Sequence, residues 1–381
     1  MKIVHFSDTH LGYNDLEILN DENINQREAD FYDAFSQVVE QIKIIKPDYI
    51  IHTGDLFHRS SPSNRAITFA LEQFRIIDML NIPFIVIAGN HSTPRTNLSS
   101  PILKIFENFK NIHVSYNQEY KKVEFKDIVF HTLPHMNDDT KALYQIELCE
   151  QNIESDKKNI MMMHCSLGAW YLMQEFGEWV YPSDKEYIFE SMDYVALGHW
   201  HGFGQVGKRE NVYYSGSTER TSLSDKRNSK GFVVVTIDNK SKGSSLFNAP
   251  HVEYKEIKIR PIITKEIDCE SYEESIAKID TSDTKDAIVE VRLQNLTALQ
   301  SIDIQNSEIK SLFEDAMSVS IKREFKRSAN ESNVDEVEAL SLEEFFLEHI
   351  KEDSKEVEYE RLKDKVQELF AHYEEMSDDT L

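Results

Sequence analysis

Aspartate, asparagine and histidine residues recur in this sequence directly after short apolar runs. They follow "KIVHFS", "YIIHTG", "FIVIAG", "NIMMM" and "YVALG" in turn: Asp8, His10, Asp55, Asn90, His164, His199 and His201. Imidazole nitrogen mixed with carboxylate and amide oxygen suits Mn²⁺, Zn²⁺ or Fe²⁺ better than a soft metal. The set is also too rich in nitrogen for a dedicated Ca²⁺ or Mg²⁺ cage.

Seven donor groups are too many for a single tetrahedral ion. Two ions about 3.5 to 4 Å apart, sharing one carboxylate, would use all seven and leave room for a bridging hydroxide. Because only two carboxylates oppose two divalent ions, such a site keeps a net positive charge. The pattern therefore favours a substrate that carries phosphate.

Each motif is weak alone, since a histidine at a strand end is more often structural. The pair His199 and His201 is stronger, because alternate residues of an extended segment point to the same side. Five strand ends in succession indicate a metal site, provided that the fold brings these ends together.

The apolar periodicity between these motifs supplies such a fold. Helical spacing over 27–46 and 64–81 separates the first three strand-like runs. Alternating strands and helices imply right-handed crossovers and a largely buried parallel sheet, whose strand ends meet at one edge. After about residue 205 the pattern becomes hairpin-like, with "VYYSG" and "GFVVVTI" as β segments.

The composition limits the class of protein. The chain has 381 residues, of which 40% are hydrophobic. Its first residues, "MKIVHFSDTH", lack the continuous apolar core of a secretion signal, and we expect no membrane span because about 18 apolar residues never run together. Its three cysteines lack CxxC spacing, so we expect reduced thiols and a cytoplasmic location.

The net charge of −25 argues against a polyanionic partner but does not exclude one. Residues 331–381 alone carry 18 acidic and five basic side chains, so about half of the excess lies in the tail. Local basic patches decide such binding, and candidates occur at 226–230 and 321–327. We expect DNA contacts from four residues: Arg95, Lys226, Arg227 and Lys230.

The motifs "DTHLG", "GDLFH", "GNH", "HCS" and "GHWH" resemble the signature blocks of the calcineurin-like metallophosphoesterases. The forms "FSDTHLG", "GDLFH" with "SSPS", and "YSGSTERTS" resemble the SbcD-type nucleases, which act in DNA double-strand-break repair. This resemblance covers about residues 1–240 closely and the remainder in layout only.

The resemblance implies roles residue by residue. One metal ion would be held by Asp8, His10, Asp55 and His201. The other would be held by Asp55, Asn90, His164 and His199, with Asp55 bridging. The family's catalytic histidine, which is not a ligand, matches His91, and a second histidine near the scissile phosphate matches His58.

The resemblance also implies an activity and partners. We expect a deoxyribonuclease with two Mn²⁺ ions, or Mg²⁺ or another divalent ion in their place. It would act as a 3′ to 5′ exonuclease on duplex DNA and as an endonuclease on single strands or hairpins. The expected partners are DNA, a second copy of the chain and an SbcC-like coiled-coil ATPase, with no membrane contact and a cytoplasmic, nucleoid-associated location.

The expected fold class is α/β, with a layered core of two β-sheets flanked by helices, a small α+β capping domain and a C-terminal helical segment. The nuclease domain is predicted at 1–250, the capping domain at 251–328 and a polar linker at 329–340. Apolar residues at helical spacing over 341–381 predict the segment that binds the ATPase, although these helices could instead pack on their own protein.

One residue departs from the family pattern. The family usually has Asp or Glu after "GNH", whereas this chain has Ser92, whose hydroxyl could orient His91 but supplies no charge. Two alternatives therefore stay open. One is a phosphatase or phosphodiesterase for small molecules, and the other is a weakly catalytic scaffold for DNA ends.

Overall fold

The computed structural model describes residues 1–93, 100–167, 179–222, 225, 229–238 and 249–326. A first sheet contains four parallel strands: β1 (Lys2–Phe6), β2 (Tyr49–His52), β3 (Phe84–Ile87) and β4 (Ile112–Ser115). Two later strands, β11 (Gly231–Thr236) and β12 (His251–Glu256), join it antiparallel, which gives the order β12-β11-β1-β2-β3-β4.

A second sheet is built from the middle of the chain. Its strands are β5 (Lys121–Glu124), β6 (Ile128–Leu133), β7 (Lys158–His164), β8 (Tyr194–Gly198), β9 (Gly204–Gln205) and β10 (Val212–Tyr214), in the order β5-β6-β7-β8-β10-β9. Strands β6, β7, β8 and β10 are parallel to one another. The two β segments predicted after residue 205 are β10 and β11. Strand β10 pairs antiparallel with β9 and β11 pairs antiparallel with β12, so the two segments belong to different sheets.

An apolar layer lies between the two sheets. It contains Ile3 and Ile51 from the first sheet and Phe130, Ile160 and Met162 from the second, all fully buried. Because both faces of these strands are covered, they read as nearly continuous apolar runs rather than alternating ones. The α/β class with two sheets flanked by helices is thereby confirmed.

Helices α1 (Gln26–Ile45), α2 (Asn64–Met79) and α3 (Asp139–Gln151) connect the strands. The first two agree with the predicted helices to within two residues. The Asn25 side chain accepts hydrogen bonds from two backbone amides in the first turn of α1, and the Ser63 hydroxyl accepts one from the amide of Ala66 in α2. These caps fix the start of each helix, while its apolar face packs on the first sheet.

A three-stranded sheet follows, in the order β13-β14-β15. Its elements are β13 (Ile262–Asp268), α4 (Tyr272–Lys278), β14 (Ile288–Leu296), α5 (Ala298–Asp303), α6 (Asn306–Ser311) and β15 (Ser318–Phe325). Two short helices, α5 and α6, lie between β14 and β15. A capping box between Thr297 and Gln300 starts the first of them.

The chain divides into two compact units. Among the described residues, one comprises Met1–Lys265, Asp280–Val291 and Ser307–Ser320, and the other comprises Glu266–Ile279, Arg292–Asn306 and 321–326. Strand β12 is the edge strand of the first sheet. The predicted domain boundaries stay a prediction. The predicted linker and C-terminal helices, 329–381, lie outside the described residues. Within the described part of the chain, no helix is both long and apolar enough to cross a membrane.

Candidate metal centre

The loops that follow β1 and β2 are joined by backbone hydrogen bonds. The amide of Asp8 donates to the carbonyl of Gly54 at 3.0 Å, and the amide of His10 donates to the carbonyl of Asp55, also at 3.0 Å. These bonds continue the pairing of the two parallel strands past their ends. Asp8, His10 and Asp55 are therefore held by one rigid pair of loops.

Four of the seven predicted ligands have a left-handed backbone conformation. The φ angles are 52° for Asp8, 42° for His10, 53° for Asp55 and 96° for His199. Residues other than glycine rarely adopt this conformation, which costs about 1 to 3 kcal/mol at each position. It turns the chain sharply at each strand end and directs consecutive polar side chains into one space.

Two glycines of the motifs are required by the close approach of these loops. A Cβ atom on Gly54 would lie 2.2 Å from Nδ1 of His164, and one on Gly89 would lie 2.2 Å from Oδ1 of Asp55. Both glycines directly precede a predicted ligand. Any larger residue would separate the loops that hold the donor atoms.

The first group of donors gathers around His10. The Nε2 atoms of His10 and His201 lie 3.1 Å apart, and an oxygen of Asp8 lies within 4.8 Å of these ring nitrogens. The Thr221 hydroxyl at 3.0 Å and the Asp225 carboxylate at 3.4 Å face Nδ1 of His201. These two contacts hold the His201 ring with its Nε2 toward His10.

The second group gathers around His164. Its Nε2 lies 2.9 Å from the amide oxygen of Asn90 and 3.3 Å from a carboxylate oxygen of Asp55. Its Nδ1 lies 2.8 Å from the carbonyl oxygen of Thr53, which can only accept a hydrogen bond. The ring of His199 lies edge-on to that of His164, with centroids 5.2 Å apart.

The two groups share Asp8. An oxygen of Asp8 lies within 4.8 Å of the donors of Asp55 and His164 as well as those of His10 and His201. The Asp8 carboxylate thus lies between the two histidine groups. The assignment of Asp55 as the bridging ligand remains a prediction.

Burial and charge perturb the protonation of this cluster. Burial opposes the charged forms of Asp55 and His164, yet their mutual attraction holds the Asp55 pKa well below its usual range and raises the His164 pKa to about 9. Burial lowers the pKa of His10 well below its usual range. A cation that binds here therefore competes with the proton of His164.

The chemistry of the donor set fits divalent cations. The Nε2 atoms of His10 and His201 face each other across a hydrogen-bond distance, and within the described residues the buried Nδ1 of His10 has no hydrogen-bond partner. The nitrogen and oxygen atoms of the cluster thus have more lone pairs than there are protons available to hydrogen bond with them. Bound divalent ions would satisfy these nitrogen and oxygen atoms.

Comparison with known proteins identifies the family of this chain. The sequence pattern of the calcineurin-like phosphoesterases matches residues 1–203. A DNA double-strand break repair protein Mre11 from Thermoplasma acidophilum is 30% identical over 288 residues, covering 72% of this chain and 70% of that protein. The chain belongs to the Mre11-type calcineurin-like phosphoesterases.

Two further Mre11 relatives extend this match. The protein from Methanocaldococcus jannaschii is 28% identical and covers 76% of this chain and 75% of its own length. The protein from Methanococcus maripaludis is 24% identical, and the match covers 94% of this chain and 93% of that protein. Among solved structures, the calcineurin-like phosphoesterase YfkN from Bacillus subtilis is 13% identical, with a TM-score of 0.41, over 73% of this chain and 96% of that one.

Membership of this phosphoesterase family makes the chain a phosphoester hydrolase and implies a pair of divalent metal ions. The two donor groups described above are the candidate sites for that pair. Beside them lie His58 and His91. One ring nitrogen of each, together with one of His10, lies within 4.8 Å of the other two.

His91 of this phosphoesterase is held by backbone atoms. Its Nδ1 lies 2.6 Å from the carbonyl oxygen of His58, and its amide donates to Oδ1 of Asp55 at 2.9 Å. Because a carbonyl can only accept, Nδ1 carries the proton and Nε2 remains for other chemistry. The His58 and His91 rings stack with centroids 5.2 Å apart.

The Ser92 hydroxyl does not orient His91. Ser92 is fully buried, and its Oγ has no hydrogen-bond partner among the described residues. The contact that orients His91 comes from the backbone of His58. The serine that departs from the family pattern therefore does not replace a carboxylate in holding the histidine.

Three residues near the site were missed by the sequence patterns. His135 is buried with its ring centroid 6.4 Å from that of His164, and burial lowers its pKa to about 4. It follows β6, a strand whose end was not considered, so the same strand-end signal could have found it. Thr221 and Asp225, which contact His201, carry no comparable signal because they lie in a loop.

Of the four expected DNA contacts, Lys230 lies among the described residues. Arg95, Lys226 and Arg227 lie outside the described residues. Lys230 was wrongly expected at the surface, because it is 1% exposed and its ammonium donates to the carbonyl of His201 at 2.7 Å and to Ser217 Oγ at 2.8 Å. Arg59, next to His58, is exposed and is a better candidate.

Proposed function

We propose that this chain is a Mn²⁺-dependent DNA nuclease, a 3′ to 5′ exonuclease on duplex ends and an endonuclease on single strands and hairpins. The observation that carries the proposal is the convergence of seven nitrogen and oxygen donors from five strand ends beside His91, which is oriented by the backbone. The names of the Mre11 relatives supply the DNA substrate. Mixed imidazole and oxygen ligands suit Mn²⁺.

The proposed ligands follow the two donor groups. Asp8, His10, Asp55 and His201 would hold one ion, and Asp55, Asn90, His164 and His199 the other. When bound, such a pair activates water and neutralises the charge that develops on the phosphodiester. The loops that join β1 to α1 and β2 to α2 keep the ligands in place before any ion arrives, because their backbones are hydrogen bonded to each other.

His91 would act on the leaving oxygen. Its Nδ1 proton is fixed by the His58 carbonyl, so the imidazole exchanges its second proton at Nε2. In the protonated form, Nε2 donates to the oxygen that leaves phosphorus, which becomes a hydroxyl as the phosphorus–oxygen bond breaks. The His58 ring, stacked on that of His91, would line the same side of the phosphate.

The assembly is also proposed. By analogy with the SbcD-type nucleases, we infer a homodimer that works with an SbcC-like coiled-coil ATPase in the cytoplasm, at the nucleoid. The apolar spacing over 341–381 supports the ATPase-binding role. By the same analogy, the predicted capping domain at 251–328 would help to orient DNA.

The test uses purified protein with Mn²⁺, linear duplex DNA, circular single strands and a chromogenic phosphodiester. His91→Ala should lose DNA cleavage while retaining two ions per chain by elemental analysis. His251→Ala is the matched control, because His251 is exposed on β12. Cleavage of the small phosphodiester without DNA cleavage would establish the small-molecule alternative, and metal and DNA binding without cleavage would establish the scaffold.

A further inference from the structure

The side chain of Tyr13 lies beside the metal centre and has no role in the chemistry proposed above. Tyr13 follows the predicted ligand His10 by three positions and is 9% exposed. Its backbone amide donates to the carbonyl of His10 at 3.0 Å. Its ring lies edge-on to that of His58, with centroids 4.9 Å and planes 74° apart. Tyr13 therefore contacts the main chain of one predicted metal ligand and the ring of one proposed catalytic residue.

The hydroxyl of Tyr13 reaches a distant segment of the chain. It donates to the carbonyl of Thr221, 208 positions away, at 2.6 Å, and a carboxylate oxygen of Asp15 lies further off at 3.3 Å. The Thr221 hydroxyl in turn lies 3.0 Å from Nδ1 of His201. Because Nε2 of His201 faces His10, Nδ1 is the nitrogen that Thr221 can hold. The Tyr13 hydroxyl is thus bonded to a residue that orients a predicted ligand.

Tyr13 and Thr221 are both fixed by further contacts. The Tyr13 ring stacks on that of Phe31, which is fully buried, with centroids 4.7 Å apart. Arg27, one turn earlier in α1, donates to the carbonyl of Arg220 at 2.8 Å. Two consecutive carbonyls, those of Arg220 and Thr221, are therefore held by side chains. A segment held in this way leaves the Thr221 hydroxyl little freedom to move.

We propose that Tyr13 is a positioning residue of the metal centre. Its hydroxyl holds Thr221 against His201, and its ring keeps His58 in place beside the phosphate. This inference rests on the proposed nuclease function and on the proposed metal ligands. The partner at the second nitrogen of a ligating histidine sets the orientation of the ring, and loss of such a partner typically weakens metal binding about 10- to 100-fold. Because Tyr13 acts through Thr221, we expect its hydroxyl to contribute about 10-fold, at the lower end of that range.

The role of the hydroxyl is tested by metal binding in the absence of DNA. Tyr13→Phe removes one oxygen atom and keeps the ring. Calorimetric titration of the metal-free full chain with Mn²⁺ should show one of the two ions bound about 10-fold more weakly and the other unchanged. Tyr181→Phe is the matched control, because Tyr181 is buried in the core of the second sheet and its hydroxyl also donates to a backbone carbonyl, that of Lys185. Unchanged affinity for both ions in Tyr13→Phe, or an equal loss for both, would overturn the proposal.

A double-mutant cycle tests the route through Thr221. Thr221→Val removes the hydroxyl that faces His201 but keeps the carbonyl that Tyr13 contacts. If Tyr13 acts through this hydroxyl, Tyr13→Phe should weaken Mn²⁺ binding no further in the Thr221→Val background. Losses that multiply in the double variant would show that the two residues act independently, and the proposed route would be wrong.

The role of the ring is tested by cleavage of linear duplex DNA. Saturating Mn²⁺ fills the weakened site, so Tyr13→Phe should then have a kcat near that of the wild type. Tyr13→Leu also removes the aromatic contact with His58, and its kcat should stay about 2- to 10-fold lower at any Mn²⁺ concentration, the range expected for one aromatic pair. Equal kcat values for the two variants at saturating Mn²⁺ would rule out a role for the ring.

The nuclease function and the positioning role fail in different ways. If the wild type binds two Mn²⁺ ions but cuts no DNA, the nuclease function fails, while calorimetry still decides the role of the Tyr13 hydroxyl. If the wild type cuts DNA and Tyr13→Phe binds both ions as tightly as the wild type does, the nuclease function stands and the positioning role fails. A wild type that binds no Mn²⁺ would contradict both.

Discussion

The Nδ1 atom of His91 lies 2.6 Å from the carbonyl oxygen of His58. One proposed catalytic residue is thus oriented by the main chain of the other. Because the acceptor is backbone, the contact is independent of the side chain at position 58. Substitutions of the two histidines should therefore have different effects, because a change of the side chain at 58 keeps the contact and a change of His91 removes it.

We expect His58→Ala to lower the cleavage rate less than His91→Ala. The alanine variant at 58 keeps the carbonyl that holds the His91 ring, whereas His91→Ala removes the acid–base group, which typically contributes about 100-fold or more. Single-turnover rates at saturating Mn²⁺ measure both effects. Equal losses would show that the His58 side chain, rather than its carbonyl, is the more important feature.

Substitution of Ser92 by alanine should leave activity near the wild-type value and cost no stability. Its buried hydroxyl has no hydrogen-bond partner among the described residues, so its removal should change the free energy of unfolding by about 1 kcal/mol or less. Ser92→Asp should destabilise, because a carboxylate would be buried at the same position. Urea unfolding in EDTA and the pH dependence of the cleavage rate check this, and a stable, more active Ser92→Asp would contradict it.

The stability of the protein should fall in acid partly because of His5. Its imidazole is buried between Tyr194 and Thr53, and burial, followed by His52, lowers its pKa to about 3. The unfolded chain takes up a proton near pH 6.5, whereas the folded chain takes it up near pH 3. The contribution of His5 to the free energy of unfolding is therefore fully present above pH 6.5. It is lost as the pH falls toward 3, by about 1.4 kcal/mol per pH unit.

Urea unfolding of His5→Gln at pH 6.5, 5.5 and 4.5 in EDTA tests this dependence. The variant should be less stable at pH 6.5 but should lose stability less steeply in acid. The other buried histidines contribute equally to both proteins, and exposed His251→Gln should keep the wild-type slope. If the free energy of unfolding fell equally steeply with pH in the wild type and in His5→Gln, the prediction would be wrong.

Lys230 and Arg59 should differ in their effect on DNA binding. Lys230→Met breaks three internal contacts, with His201, Ser217 and Asp225, and should reduce the free energy of unfolding by about 1 to 3 kcal/mol. The slope of log Kd against log salt should stay unchanged, because this buried ammonium cannot reach a phosphate. Arg59→Ala should reduce the size of that slope by about 0.9, which corresponds to one phosphate contact. If instead Lys230→Met reduced the size of the slope and Arg59→Ala left it unchanged, Lys230 would be the DNA contact.

Gly54→Ala should destroy the metal centre. The added Cβ would lie 2.2 Å from Nδ1 of His164, and the backbone φ of +109° is strained for alanine. We expect the free energy of unfolding to fall by about 3 kcal/mol or more. We also expect metal binding, measured by calorimetry, to be lost. In a His164→Ala background the same substitution should cost less, because the clashing ring is absent. A purely additive double-mutant cycle would contradict the clash.

The sequence alone determined the fold class, the first two helices and the set of candidate donors. The reason is local: a buried parallel strand requires a continuous apolar run, and each run here ends abruptly in Asp, Asn or His. The spacing of Phe31, Phe35, Val38 and Ile42 likewise forces one apolar face on α1. Such patterns depend on neighbours in the chain, so they can be read from it.

Only the tertiary structure decided how these side chains meet. Lys226 to Lys230 looked like a basic surface patch, yet Lys230 turns inward, because Asp225 and the carbonyl of His201 lie where its ammonium can reach them. The support of His91 by the His58 carbonyl, rather than by Ser92, joins residues 33 positions apart. Contacts of this kind arise from packing between distant segments, and no local spacing specifies them.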